Sequence, residues 1–173
     1  MDLAALRKLP VAELAAEDAV LCMWAVPPIF REAFEVIESW GFTYLTLGFV
    51  WVKLTLDGEA LLAGRHEGPI PDDVTRMGMG HWTRANAEFC LLGVRGSPKR
   101  LNAGVRQVVL EAPGRHSAKP AEVRRRLVKL CGDRPRIELF ARERHDGWHV
   151  WGNEVQSDVT LELAHWRRAE VSA

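Results

Sequence analysis

The sequence predicts an α/β fold in a single domain, and three observations carry that expectation. Residues Ala19 to Val26 form an unbroken apolar run, which is how a strand buried on both faces reads. Further strand-like runs alternate with amphipathic segments of about ten residues, the length of a connecting helix. The chain has 173 residues, 47% of them apolar, enough for one sizeable core.

Taken in order, Asp2 is placed to cap a short helix running to about Leu9, and Pro10 opens a second amphipathic piece through Leu14. Residues 1–18 therefore read as a helical lead-in. Pro27-Pro28 stops the apolar run that follows. Phe30, Ala33, Phe34, Ile37 and Trp40 then recur at three and four residues, marking one helix face, and Gly41 stands where a left-handed C-terminal cap is needed. A strand is expected from Tyr44 to Lys53. Residues 54–81 gather turn signals such as Asp57-Gly58, Gly68-Pro69 and Gly78-Met79-Gly80, and read as one long substrate-side loop. Strands resume over Glu88–Val94 and Val105–Leu110. Pro120 suits the first position of a helix whose buried side is Val123, Leu127 and Leu130 and whose end is Gly132. Ile137–Ala141 and Trp148–Trp151 read as strands, and Val159–Arg168 as a helix within a C-terminal tail, residues 156–173. Such an order predicts a largely parallel sheet with its ligand beyond the carboxyl ends of the strands. The loops after Trp24, Lys53, Glu111 and Phe140 are thus the places for a site.

Composition excludes several classes. Formal net charge is zero, so the molecule as a whole carries no strong field for nucleic acid. The charge is uneven, however: residues 1–40 are acidic, and residues 95–126 hold nine Lys and Arg, among them Arg95, Lys99, Arg106 and Arg124 to Arg126, against Glu111 and Glu122. That stretch reads either as a phosphate-contacting surface or as a solvated helix face with ordinary loop charges. No run of about 18 uncharged apolar residues occurs and the N-terminus has no basic, then apolar, pattern, so a soluble, cytoplasmic protein is expected. Cys22, Cys90 and Cys131 are odd in number, far apart and set among apolar residues, which fits reduced thiols. Neither a dinucleotide-binding glycine fingerprint nor a P-loop is present. His145 and His149 stand four apart, but Asp146-Gly147 between them breaks a helix and no cluster of ligands accompanies them, so no metal is expected. No Ser or Cys has a recognisable nucleophile setting.

Eight short segments carry a resemblance. They are L-C-M-W at 21–24, W-G-F at 40–42, F-V-W-V-K at 49–53, H-W-T-R-A-N-A-E at 81–88 and L-L-G-V-R-G at 91–96, then H-S-A-K-P at 116–120, I-E-L-F-A-R at 137–142 and G-W-H-V-W-G-N-E at 147–154. In this order and spacing, from Leu21 to Val155, the chain resembles the adenine N(6)-methyltransferase family of the messenger-RNA methyltransferase catalytic subunit type, and within it the phage and bacterial DNA enzymes. The resemblance implies a Rossmann-like fold, S-adenosylmethionine as methyl donor, adenine in nucleic acid as substrate (DNA ahead of RNA), and a homo- or heterodimer.

It also implies roles for residues. Lys119 is similar to the family lysine near the methionine moiety of the donor. Independently, a lysine just ahead of a helix N-terminus suits a carboxylate, although a solvated lysine before a capped helix reads the same way. Arg142 resembles the arginine closing the I-E-L-F-x-R strand, where ribose hydroxyls are expected, and Asn153 and Glu154 resemble a family pair that hydrogen-bonds the adenosine. A Gly-Asn dipeptide also marks a turn for local reasons. On the substrate side Glu88 matches a family glutamate near the target adenine, with Asn86 on the same strand face. Trp82 and Arg84 close the glycine-rich loop. Stacking on nucleic acid and anchoring the loop to the core are both open for Trp82.

One element of the family is absent from this sequence. The exocyclic nitrogen of adenine is a poor nucleophile because its lone pair is delocalised into the ring. In the family a consecutive Asp-Pro-Pro-aromatic segment at a strand end accepts hydrogen bonds from it and stacks on the base. Here Pro27-Pro28 is preceded by Val26, and Pro71-Asp72-Asp73 has the order reversed. No catalytic residue is therefore assigned. Since that motif precedes the matching region, the fold is expected to be incomplete at its N-terminus, leaving two inner sheet edges unpaired. Met1 is expected to be an internal methionine, with the reading frame upstream encoding an Asp-Pro-Pro-Trp or Asp-Pro-Pro-Tyr strand, and the 173-residue chain to be inactive alone. The rival expectation is a non-catalytic nucleic-acid-binding or scaffold subunit of the same descent.

Overall fold

The computed structural model describes residues 1–69, 73–80, 82–114 and 118–161. Two short helices lead in, α1 (Leu3–Arg7) and α2 (Val11–Leu14), followed by β1 (Ala19–Ala25), a 3₁₀ turn over Pro27–Ile29, α3 (Phe30–Ser39) and β2 (Thr43–Lys53). Then come α4 (Leu56–Leu62), β3 (Ala87–Arg95), β4 (Val108–Glu111), α5 (Ala121–Cys131), β5 (Ile137–Leu139) and β6 (His149–Trp151). The caps behave as their residue types require. Asp2 accepts from the Ala5 amide at 2.8 Å, and Gly41, at φ +80°, closes α3 while its amide donates to the Glu38 carbonyl. Pro120 stands at the N-cap of α5, and Gly132 ends that helix at φ +85°.

The fold is α/β, but its sheet is mixed. Four strands lie in the order β1-β3-β2-β4, and only the β2–β4 pair is parallel; β3 runs antiparallel to both β1 and β2. β5 and β6 form a separate parallel pair. The expectation of a largely parallel sheet is corrected here for a physical reason: an apolar run reports burial of both faces, whatever the direction of its neighbours. Both faces are covered at the inner strand β3, whereas β1, at the sheet's edge, is only half-buried over Ala19–Trp24 and buried at Ala25. The consecutive residues Cys90 and Leu91 on β3 point to opposite faces and both are fully buried. Leu91 packs in a core with Val36, Ile37 and Trp40 of the α3 region, whereas Cys90 packs with Phe49, Trp51, Val109 and Val123 of α5. The Trp40 indole donates to the Leu6 carbonyl at 2.9 Å, which fastens α1 to the end of α3.

A second correction concerns residues 54–81, which hold a helix where a loop is expected. The Asp57-Gly58 dipeptide belongs to the first turn of α4, capped by Thr55, whose Oγ1 accepts from the Gly58 amide at 2.9 Å. Glycine is required there by contact, since a Cβ at position 58 would lie 2.2 Å from the Val74 carbonyl oxygen. Other boundaries move by a few residues: the strand expected at Val105–Leu110 is Val108–Glu111, and that expected to end at Ala141 ends at Leu139. Residues Val159 to Leu161 are not helical, and the rest of the expected terminal helix, with Pro71, Asp72, His81, Arg115, His116 and Ser117, lies outside the described residues. All three cysteines are free thiols. Among the described residues no helix is long and apolar enough to cross a membrane.

β1 and β5 each have a single strand neighbour, and their open edges line the same cavity. This gap positions the site.

Candidate active site

The carboxyl ends of β1 and β2, at Ala25 and Lys53, lie at one edge of the sheet. The antiparallel course of β3 brings its first residues to that edge, with Glu88 in register with Trp51. Glu88 is there the centre of a lysine pair. Its Oε1 is 2.6 Å from Lys53 Nζ and its Oε2 is 2.6 Å from Lys119 Nζ, the latter delivered by the segment just ahead of α5. The lysines also face aromatic rings, Lys119 at 5.7 Å from the Trp24 centroid and Lys53 at 5.2 Å from that of Trp51. The two indoles meet edge to face at 6.5 Å. Burial pushes the Glu88 carboxyl up, but hydrogen bonds and charge from Lys119 and Lys53 outweigh it, and the net shift is downward. Glu88 is thus a fixed carboxylate on the sheet edge.

A second charged pair forms beyond β5 and β6. The Ala141 amide donates to the Trp151 carbonyl at 3.0 Å, and a Cβ on Gly152 would lie 2.1 Å from the Ala141 oxygen. The glycine of the Gly-Asn dipeptide is therefore set by tertiary contact between the two strand ends. That crossing brings Arg142 to Glu154, Nε to Oε1 at 3.4 Å, beside the exposed Asn153. Phe140, immediately after β5, adopts φ +60°, a left-handed conformation costly for a bulky residue, and its ring meets Trp151 edge to face at 5.2 Å.

Lys119, Phe140, Arg142 and Glu154 line one cavity of about 1060 Å³, together with β1 residues 19–25 and Ile137 to Leu139. Small-molecule sites occupy about 300–1,000 Å³, so this space is larger than one ligand requires. The structure thus brings Lys119 to Glu88 and Arg142 to Glu154, and Lys119, Arg142 and Glu154 line the same cavity. It does not bring Asn86 to them: the Asn86 amide donates to Thr75 Oγ1 at 3.2 Å and supports the neighbouring loop. Trp82 and Arg84 are exposed on that loop, and at 95% exposure Trp82 does not anchor it to the core. Two residues were missed by sequence reasoning. Lys53 carried a signal, a charged residue closing an apolar strand at the ligand edge. Phe140 carried none, because residue type does not announce a left-handed φ.

Part of the basic stretch is engaged internally. Arg124 pairs with Glu138 at 2.7 Å, Arg125 and Arg126 pair with Glu122, and Arg95 donates to the Ala12 carbonyl.

Residues 1–154 match the family model MT-A70. The chain belongs to the MT-A70 family. Its relatives include the type II methyltransferase M.MunI of a Mycoplasma species, 32% identical over 157 residues, covering 90% of this MT-A70 chain and 58% of that protein. The human N(6)-adenosine-methyltransferase catalytic subunit METTL3 is 27% identical over 142 residues, which is 80% of this chain and 22% of the relative. An Arabidopsis thaliana N(6)-adenosine-methyltransferase MT-A70-like protein is 28% identical over 141 residues, with 80% and 18% covered. The chain therefore spans little more than half the length of the first relative and a smaller share of the others. Membership makes it a methyltransferase-family chain, and the mixed α/β sheet is consistent with a methyltransferase fold.

Proposed function

We propose that this chain forms the donor-binding and adenine-facing part of an S-adenosylmethionine-dependent enzyme that methylates the exocyclic amino group of adenine in DNA. One observation carries the reading: Lys119, Phe140, Arg142 and Glu154 come from three separate segments and line a single cavity at the ligand edge of the sheet. The donor set fits a zwitterionic nucleoside. An ammonium ahead of a helix N-terminus suits its carboxylate, the Arg142–Glu154 pair and the Asn153 amide supply donors and acceptors for its hydroxyls and base, and the Phe140 ring offers an apolar face. The bound donor supplies an electrophilic methyl group. The chain's residues bind it, orient it and present adenine: Lys53 keeps Glu88 ionised as an acceptor for adenine N–H groups, so Glu88 positions the base without taking a proton from it. DNA follows from the resemblance to the phage and bacterial branch, and a type II methyltransferase is among the relatives.

Transfer also needs an acceptor set for the reacting nitrogen, and this sequence has no Asp-Pro-Pro-aromatic segment. In this reading a strand ending in that segment occupies the gap between the open edges of β1 and β5, restoring their hydrogen bonds and placing its carboxyl end beside Glu88. A second reading is a non-catalytic subunit of the same descent that binds nucleic acid. The test fuses a strand ending in Asp-Pro-Pro-Trp ahead of Met1 and measures transfer of labelled methyl to adenine-containing DNA. Methylation by the extended chain, and none by the 173-residue chain, is expected. DNA binding without transfer in both would establish the second reading, and a folded extended chain that binds neither donor nor DNA would overturn both.

A further inference from the structure

We infer that Trp82, carried on the limbs 76–80 and 82–86 of one projection, enters a base stack of duplex DNA next to the extruded adenine; this rests on the reading of a DNA-directed site. Four contacts fix the root of the projection. Leu54 and Thr75 form a β-bridge, the Arg76 amide donates to the Lys53 carbonyl at 2.7 Å, the Lys53 amide donates to the Asn86 carbonyl at 2.8 Å, and Asn86 holds Thr75. The two limbs are pressed together at glycines. A Cβ on Gly78 would lie 2.3 Å from the Ala85 oxygen, and one on Gly80 would lie 1.6 Å from the Thr83 oxygen.

On this support the chain exposes what folded proteins ordinarily cover. Met79 is 94% and Trp82 95% exposed, with Met77 at 68%. The other five described tryptophans are buried or half-buried. Arg76 and Arg84 flank the apolar group, both exposed, and neither has a carboxylate partner among the described residues, unlike Arg124 to Arg126. An apolar wedge between two guanidiniums that have no carboxylate partner among the described residues matches a base step between two phosphate strands. Its location adds a reason. Trp82 stands six residues before Glu88, at most about 20 Å along extended chain. Extruding a base leaves a gap in the stack beside such a site, and a flat ring can fill it.

The test compares binding of the 173-residue chain to a fluorescent duplex and to the same duplex with one abasic position, a gap made in advance. The wild-type chain is expected to prefer the abasic duplex by about tenfold, the order of one base–aromatic stack. Trp82→Ala should lose most of that preference and Trp82→Phe keep most of it, with unchanged circular dichroism. An abasic preference absent from the wild type, or retained by Trp82→Ala, would overturn the wedge while leaving DNA binding intact. Loss of self-association in Trp82→Ala, with the abasic preference unchanged, would instead make the patch a protein interface. A folded chain that binds neither duplex overturns the wedge, while the functional reading is decided separately by the extended chain.

Discussion

Replacing Glu88 by Gln should destabilise this chain even though the shape of the side chain is kept. The substitution removes the carboxylate that both Lys53 and Lys119 contact at 2.6 Å, and leaves two ammoniums facing each other across an amide. The three side chains are 20%, 28% and 30% exposed for Glu88, Lys53 and Lys119. That lies between a solvated surface pair, worth about 0–1 kcal/mol, and a buried one, whose breaking costs about 3–5 kcal/mol. A loss of about 1–3 kcal/mol is therefore expected at neutral pH. The pH dependence has a definite sign. The folded-state pKa of Glu88 is lowered from 4.5, so its stabilisation is present above about pH 4.5 and disappears as pH falls through the lower folded value. Urea unfolding of both proteins, followed by tryptophan fluorescence at pH 7 and at a series of acid pH values, measures the difference. The gap between them should be largest at pH 7 and close on acidification. Equal stability at pH 7, or a gap that does not shrink in acid, would refute the reasoning.

Other perturbations have equally specific expectations. Gly152→Ala should cost about 1–3 kcal/mol by urea unfolding, because its methyl would meet the Ala141 oxygen, and should weaken donor binding by separating Arg142 from Glu154. Ile37→Ala, at a fully buried position under β3, should cost about 2–5 kcal/mol. Neutralising Arg124 and Arg126 should lower stability while leaving the salt slope of DNA binding nearly unchanged, since both are held by Glu138 and Glu122; a slope reduced by one or more would return the basic stretch to the DNA surface.

How far the sequence spoke depends on which forces act locally. The face of α3 and its Gly41 cap were legible because periodicity and a left-handed terminus are properties of neighbouring residues. Strand direction was not, because Leu21 to Trp24 read as buried whether β3 runs with them or against them. The helix after Thr55 was hidden by Gly58, whose reason for being glycine is the Val74 carbonyl brought in from sixteen residues away. Within the candidate site, Lys119, Arg142 and Glu154 were marked by segments in fixed order, and the structure gathers them at one cavity. Asn86 was expected on the strand face of Glu88, but it precedes β3 and donates to Thr75, a partner that the strand pattern does not reveal. Within the basic stretch, the pairing of Arg124 was hidden because its partner Glu138 arrives from β5, outside the stretch.

The central claim is that the cavity between β1 and β5 is a methyl-donor site, and titration calorimetry with S-adenosylhomocysteine tests it most directly. The folded chain should bind this demethylated product with a single site, and Lys119→Ala and Asn153→Ala should each weaken binding by about tenfold or more, as loss of one hydrogen-bonding partner implies. No heat from a demonstrably folded chain, or affinities unchanged in both variants, would contradict the account.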